Sequence, residues 1–153
     1  MKITTQAFEN GATIPRRYAK KGGNVSPALE FGEVPETARS LVVIVDDPDA
    51  PHGLFTHWVL FNLGPAMRRL PEGGVPAGAR QGKNSWGEPR YGGPQPPDRE
   101  HRYFFRLYAL DTMLGLADGA SRDEVERAMK GHVLAHGEWM GRYAPDTVVS
   151  EKS

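Results

Sequence analysis

Short apolar runs alternate along this chain with stretches of glycine, proline and small polar residues, and most of the runs are too short for helices. Residues 40–46 (SLVVIVD) are continuously apolar between polar flanks, the pattern of a strand buried on both faces. Residues 56–63 (THWVLFNL) follow a period of two, which puts His57, Val59 and Phe61 on one face and Trp58, Leu60 and Asn62 on the other. On that alternation His57 points with core residues. Residues 101–110 (HRYFFRLYAL) send His101, Tyr103, Phe105 and Leu107 to one side, and same-face neighbours on a strand lie roughly 6.5 to 7 Å apart, so one small ligand can touch both His101 and Tyr103. Residues 2–8 alternate weakly as an opening strand, and residues 28–31 form a short strand closed by the turn at Pro35. Residues 121–130 read differently. Ser121 and Glu124 have capping-box spacing, Val125 and Met129 make an apolar stripe, and Gly131 is a stop, so this segment is a helix. Residues 132–143 read as a last strand, because Gly137 and Gly141 disfavour helix. Segments 11–27, 69–80 and 82–100 read as turns and loops. Many short strands bounded by Gly and Pro, against one capped helix, predict a mainly β fold, an antiparallel β-sandwich with one main helix near the C-terminus.

Length and composition narrow the setting. At 153 residues the chain is expected to form one domain, 1–153, large enough to bury about two-thirds of its unfolded surface. Lys plus Arg (19) equals Asp plus Glu (19), so no global positive charge is present to hold nucleic acid or an anionic membrane surface, and any anion must be gripped locally. The absence of cysteine removes disulfides and thiolate metal sites. The opening MKITTQAFEN has no apolar signal core, and no stretch approaches a membrane span, which together read as a cytoplasmic protein with no integral membrane association. Asn24-Val25-Ser26 matches a glycosylation acceptor, but without a secretion signal it reads as a local turn in which Asn24 and Ser26 bond nearby backbone.

Candidate chemistry gathers at strand ends. The loop 82–100 (GKNSWGEPRYGGPQPPDRE) is long for a compact domain, is anchored by Trp86 and Tyr91, and leads directly into His101-Arg102-Tyr103. Asp47, His57 and His101 each border a Pro/Gly-rich loop at the end or start of a strand, which suggests one rim. Three classes of chemistry use such residues. A metal site would want two imidazoles and a carboxylate, but the only helical ligand spacing is His132 with His136, and no glutamate follows His132. A hydrolase would use Ser85 as nucleophile, His57 or His101 as base and Asp47 or Asp49 as orienter, but Asn84-Ser85-Trp86-Gly87 is not a nucleophile elbow. An anion pocket uses every residue: imidazole and phenol donors, turn amides around Gly92 and Gly93 as a concave nest, and Asp47 orienting a histidine or accepting from a monoprotonated phosphate. On this reading affinity grows as pH falls through the imidazole range.

At the level of motifs the chain resembles the phosphatidylethanolamine-binding protein family, in its compact bacterial and archaeal Raf-kinase-inhibitor-like branch. The resemblance is carried by Ile14-Pro15 with Tyr18, Gly23-Asn24-Val25-Ser26-Pro27 with Leu29, Asp47-Pro48-Asp49-Ala50-Pro51 and Thr56-His57-Trp58. It continues through residues 82–87 (GKNSWG), residues 91–97 (YGGPQPP) and His101-Arg102-Tyr103. It implies an antiparallel β-sandwich with an anion-binding pocket, no established catalytic activity and no cofactor. Carried over position by position, the pocket comprises Asp47, His57, Gly93, Pro96, Pro97, His101 and Tyr103, with no metal. It also points, together with two prolines three residues apart in an acidic turn, to a cis Ala50–Pro51 bond. Phe31 stands where this branch usually has tryptophan, and Gln95 where relatives often carry cysteine, so no role tied to that thiol transfers. The chain also ends soon after Tyr143, so kinase inhibition does not transfer with the resemblance. The expectation is a non-enzymatic binder of a small anion: a phosphate ester, a phospholipid headgroup or a carboxylate. It would act as a regulator or inhibitor through a protein partner whose identity, like homodimer formation, stays open. The alternatives are a weak hydrolase using Ser85, His57 and Asp47, and an interaction domain with a vestigial pocket.

Overall fold

The computed structural model describes residues 1–146, so the last seven residues of the expected domain 1–153 lie outside the described range. Among the described residues the strands are β1 (Lys2–Thr4), β2 (Leu29–Gly32), β3 (Ser40–Asp47), β4 (Phe55–Leu63), β5 (Arg69–Leu70), β6 (Arg80–Gly82), β7 (His101–Leu110) and β8 (Val133–Tyr143), with helix α1 (Arg122–Met129) before the last and a 3₁₀ turn at Arg16–Tyr18. They form two sheets, β1-β2-β5 and β6-β4-β3-β7-β8, in which every pairing is antiparallel.

The two faces of the larger sheet are both covered, and this explains the continuous apolar run. Ile3, Leu29, Phe31 and Leu70 of the small sheet meet Val43, Val45, Trp58, Leu60, Phe105 and Leu107 of the large one in the core between the layers. On the opposite face Val42, Ile44, Val59 and Phe61 pack under Val125 and Met129 of α1 and under Leu114 and Ala120. Central β3 is therefore buried at every position. The expected mainly β antiparallel sandwich with one helix is the fold observed. The capping box at Ser121 and Glu124 forms with both its hydrogen bonds, and residues 133–143 are indeed a strand. The opening strand is shorter than expected, β5 arises inside the segment 69–80 read as turns and β6 where that segment meets the loop 82–100, because two or three residues carry no readable period.

Two expectations are corrected. Strict alternation along β4 fails at both ends, where the β3–β4 register shifts. Val45 pairs with Trp58 but Asp46 with Thr56, so His57 is the extra residue of a bulge and turns to the same face as Phe55, away from Val59 and Phe61. A second shift, with Asn62 in the left-handed region at φ 57°, turns Asn62 from the Trp58 face to the α1 side, where its amide both donates to and accepts from the Leu114 backbone. The Ala50–Pro51 bond is trans, as are all described peptide bonds. The chain reverses instead through a turn in which the Gly53 N–H donates to the Ala50 carbonyl at 3.1 Å, with Gly53 at φ 103°.

Candidate functional site

The antiparallel ladders bring the end of β3, the start of β4 and the start of β7 to one end of the sandwich. Asp47 pairs with Phe55, Asp46 with Phe104, and the next residues on the opposite face are Asp47, Tyr103 and His101. Together with the 50–55 turn and Trp86, Gln95, Pro96 and Pro97 of the long loop they enclose a cavity of about 320 Å³. Asp47, His57, His101, Tyr103, Pro96 and Pro97 all line it; Gly93 does not. Gly93 instead backs the loop. A Cβ there would run into the Tyr18 carbonyl oxygen, and its N–H donates to the Asn24 side chain at 2.8 Å, a contact spanning 69 residues rather than the local turn expected of Asn24. The Gly92 N–H donates to the His57 carbonyl at 3.0 Å. Both amides are thus spent, and the expected nest is not formed.

His57 is nearly fully buried, with its ring among Phe55, Trp86 and Tyr103 at centroid distances of 5.1, 5.2 and 5.1 Å. Its Nδ1 lies 2.7 Å from the Gly92 carbonyl oxygen, which can only accept, so the proton sits on Nδ1. Burial pushes the imidazole down to about 4, so the ring is neutral at physiological pH and its Nε2 carries a lone pair. His57 is therefore an acceptor, not the protonated donor expected from its residue type.

His101 is clamped. Its Nδ1 lies 2.6 Å from Asp47 Oδ2 and its Nε2 2.7 Å from Asp98 Oδ1, on opposite sides of the ring. Asp47 is almost fully buried, and its Oδ1 accepts from the Asp49 N–H at 2.8 Å. Burial pushes the Asp47 carboxyl up, while the His101 hydrogen bond works against that rise. Asp49 is a structural anchor: it takes three hydrogen bonds of 2.9 Å from the Arg102 backbone and guanidinium, and the guanidinium holds its carboxyl down at about 2. The Tyr103 hydroxyl is fully buried beside the Asp47 carboxylate and the Gln95 backbone, without a hydrogen bond of regular geometry among the described residues. Burial pushes its ionisation far up, with the Asp47 charge adding to the rise, so it remains a neutral phenol.

Other candidates are placed elsewhere. The Ser85 hydroxyl accepts from the Thr56 N–H at 2.8 Å and lines a second depression beside α1, with no hydrogen bond to a histidine among the described residues. His132 bonds Asp111 at the turn before β8, while His136 lies within β8 beside Tyr108; the extended chain between them rules out helical ligand spacing. Asp98, Phe55 and the Gly92 carbonyl were missed as parts of the site. Asp98 lies only three residues before His101, a spacing visible in the sequence, whereas the Gly92 contact depends on how the loop folds back. That fold-back rests on Asn84, whose side chain accepts from the Trp86 and Glu88 N–H groups and donates to the Arg90 carbonyl.

No described helix is long and apolar enough to cross a membrane. The family profile described as phosphatidylethanolamine-binding protein matches residues 4–144. A UPF0098 protein of Methanothermobacter thermautotrophicus is 49% identical over 148 residues, covering 94% of this chain and 98% of that one. A crystal structure of a phosphatidylethanolamine-binding protein homologue from Chlamydia trachomatis, 44% identical, superposes with a TM-score of 0.90 over 95% of this chain and 97% of that chain. Escherichia coli YbcL, a member of the mammalian family by its description, is 29% identical with a TM-score of 0.89 over 95% and 98% of the two chains. With the strand-end residues gathered on one cavity and near-complete coverage by these relatives, the chain belongs to the phosphatidylethanolamine-binding protein family.

Proposed function

We propose that residues 1–153 form one domain that binds a small phosphate-bearing or carboxylate-bearing ligand without turning it over, and passes the binding event to a protein partner. The observation that carries this reading is the Tyr103 hydroxyl, buried and unpaired in the wall of a cavity that also presents His57 and Asp47. An orphaned buried hydroxyl costs about 1 to 3 kcal/mol, a cost that a bound oxygen can relieve. The aromatic and proline walls supply the apolar surroundings in which a few polar contacts become specific. The absence of turnover is supported by the Ser85 hydroxyl, which is tied to the β4 backbone away from both site histidines. In this reading Asp47, His57, His101 and Tyr103 contact or orient the ligand, Pro96 and Pro97 form its wall, and Gly93 holds the loop behind them.

Calorimetric titration with phenyl phosphate tests the proposal, with Tyr103→Phe as the informative variant. Removing the hydroxyl should weaken binding about tenfold yet leave the unfolding midpoint unchanged or higher, since an unpaired polar atom has gone. A parent protein that takes up no phosphate ester at millimolar concentration sinks the reading. So does a Tyr103→Phe variant that binds as well as the parent.

A further inference from the structure

Residues 95–98 are a thin wall with space on both sides. Gln95, Pro96 and Pro97 line the cavity on one face and, on the other, a depression of about 420 Å³ that reaches Lys21 and Tyr143. Among the described residues no backbone–backbone hydrogen bond holds 95–98, and Pro96 and Pro97 have no N–H to give. The segment is pinned upstream, where the Pro94 carbonyl accepts from the Lys20 N–H at 3.0 Å. Downstream the short contact is Asp98 Oδ1 to His101 Nε2 at 2.7 Å; Arg99 meets the Asp49 carbonyl only at 3.5 Å, and Glu100 meets Arg142 at 3.8 Å between exposed side chains.

Asp47, His101 and Asp98 form a row in which each contact, at 2.6 and 2.7 Å, needs one proton between its nitrogen and its oxygen. The row therefore holds two protons, and losing one breaks one contact. Its ends are unequal. The Asp47 side chain is 4% exposed, so cutting it loose strands a buried charge, whereas Asp98, 47% exposed, keeps water and the Arg99 N–H at 2.9 Å. The other groups around the ring leave that choice unchanged. Asp49 is taken up by Arg102, the Tyr103 ring lies 6.4 Å from His101 and 5.1 Å from the neutral His57, and burial pushes Tyr143, opposite His101 on β8, up to about 12.

We infer that residues 95–98 are a strap latched over the cavity by the Asp98–His101 contact, and that loss of a proton from the row releases the strap into the depression behind it. The wall stands closed at low pH and opens as pH rises, whatever ligand fills the cavity.

NMR on the unaltered chain follows latch and strap together: long-range proton–nitrogen spectra read the protons on the His101 ring, and backbone relaxation reads the Gln95, Asp98 and Arg99 amides. Between about pH 5 and 8 the ring should pass from two protons to one, kept on Nδ1 towards Asp47. With the same midpoint the strap order parameters should fall from about 0.85 towards 0.6. In Asp98→Ala the strap should be mobile at every pH. The chain has no cysteine, so the thiol introduced by Pro96→Cys, at a buried position of the strap, gives a second readout. At one fixed pH it should react with an aromatic disulfide at least about tenfold faster when Asp98→Ala is added, the factor expected for losing one charge-assisted hydrogen bond. A strap that stays rigid in Asp98→Ala, or after the ring has lost its Nε2 proton, overturns the latch. Equal thiol reactivity with and without Asp98 does the same.

Discussion

His57 shows how far environment outweighs residue type. Its ordinary imidazole would titrate near 6.5, but burial holds it down at about 4, so the folded protein keeps it neutral. Above about pH 6.5 both folded and unfolded states carry the neutral ring. As pH falls from there towards 4 the unfolded chain takes up a proton that the native state refuses, and stability is lost over that window, by roughly 3 kcal/mol in all. Asp47 acts in the opposite sense, because burial raises its carboxyl and the native state holds that proton longer. The difference between the parent and His57→Gln isolates the histidine. Urea denaturation at intervals from about pH 7 to pH 4 should show the parent losing stability steadily and the variant losing less. Parallel curves would mean that His57 is hydrated in the native state. The same burial revises the expected pH dependence of binding, since a ring that is neutral through the physiological range cannot strengthen as a donor there.

Among the elements, β3 does the most to hold the site and the helix in one frame. Its residues alternate between the inter-sheet core and the face under α1, and at its end the alternation places Asp47 in the cavity and Asp46 on the helix side. Asp46 is fully buried. It pairs with Arg106 of β7 at 3.1 Å and with Arg122, the first residue of α1, at 2.9 Å, tying helix, central strand and neighbouring strand together. Asp46→Asn keeps the shape but removes the buried carboxylate that the two guanidinium groups share, leaving Arg106 only Glu138 at 3.1 Å and Arg122 only Glu126 at 3.4 Å. Loss of one member of a buried pair costs about 3 to 5 kcal/mol, and the lower end applies here because both arginines retain some solvent access. By contrast Ser121→Ala, which removes the helix cap, should cost only about 1 kcal/mol. Equilibrium unfolding of both variants measures the ordering. A cap substitution as damaging as Asp46→Asn would show that α1, rather than the ion cluster, limits cohesion at this face.

At the scale of the whole molecule the charges cancel, and the groups proposed to hold a ligand lie inside a walled cavity rather than on a charged surface. Binding should therefore depend little on salt, because screening acts on exposed charges separated by more than about 10 Å at 0.1 M and much less on buried contacts. Phenyl phosphate affinity at about 50 and 500 mM NaCl should agree within about threefold by the same reasoning. A loss of tenfold or more would place the ligand on the surface. Much of this architecture is legible in one dimension. The apolar run 40–46, the alternation of 101–110 and the capping box at Ser121 depend on nearest neighbours and on periods of two and 3.6, and each produced the element it implied. The gathering of Asp47, His57 and His101 at strand ends was also readable, because antiparallel neighbours bring the end of one strand to the start of the next. The chemistry of the site was not. A bulge is a mismatch between two strands and exists in neither alone, yet it turns His57 into the cavity instead of towards α1. The tautomer of His57 depends on a carbonyl 35 residues away, and the clamping of His101 depends on a carboxylate 54 residues away. Residue identity specified which groups could exchange protons; packing against distant backbone specified which of them accept and which donate.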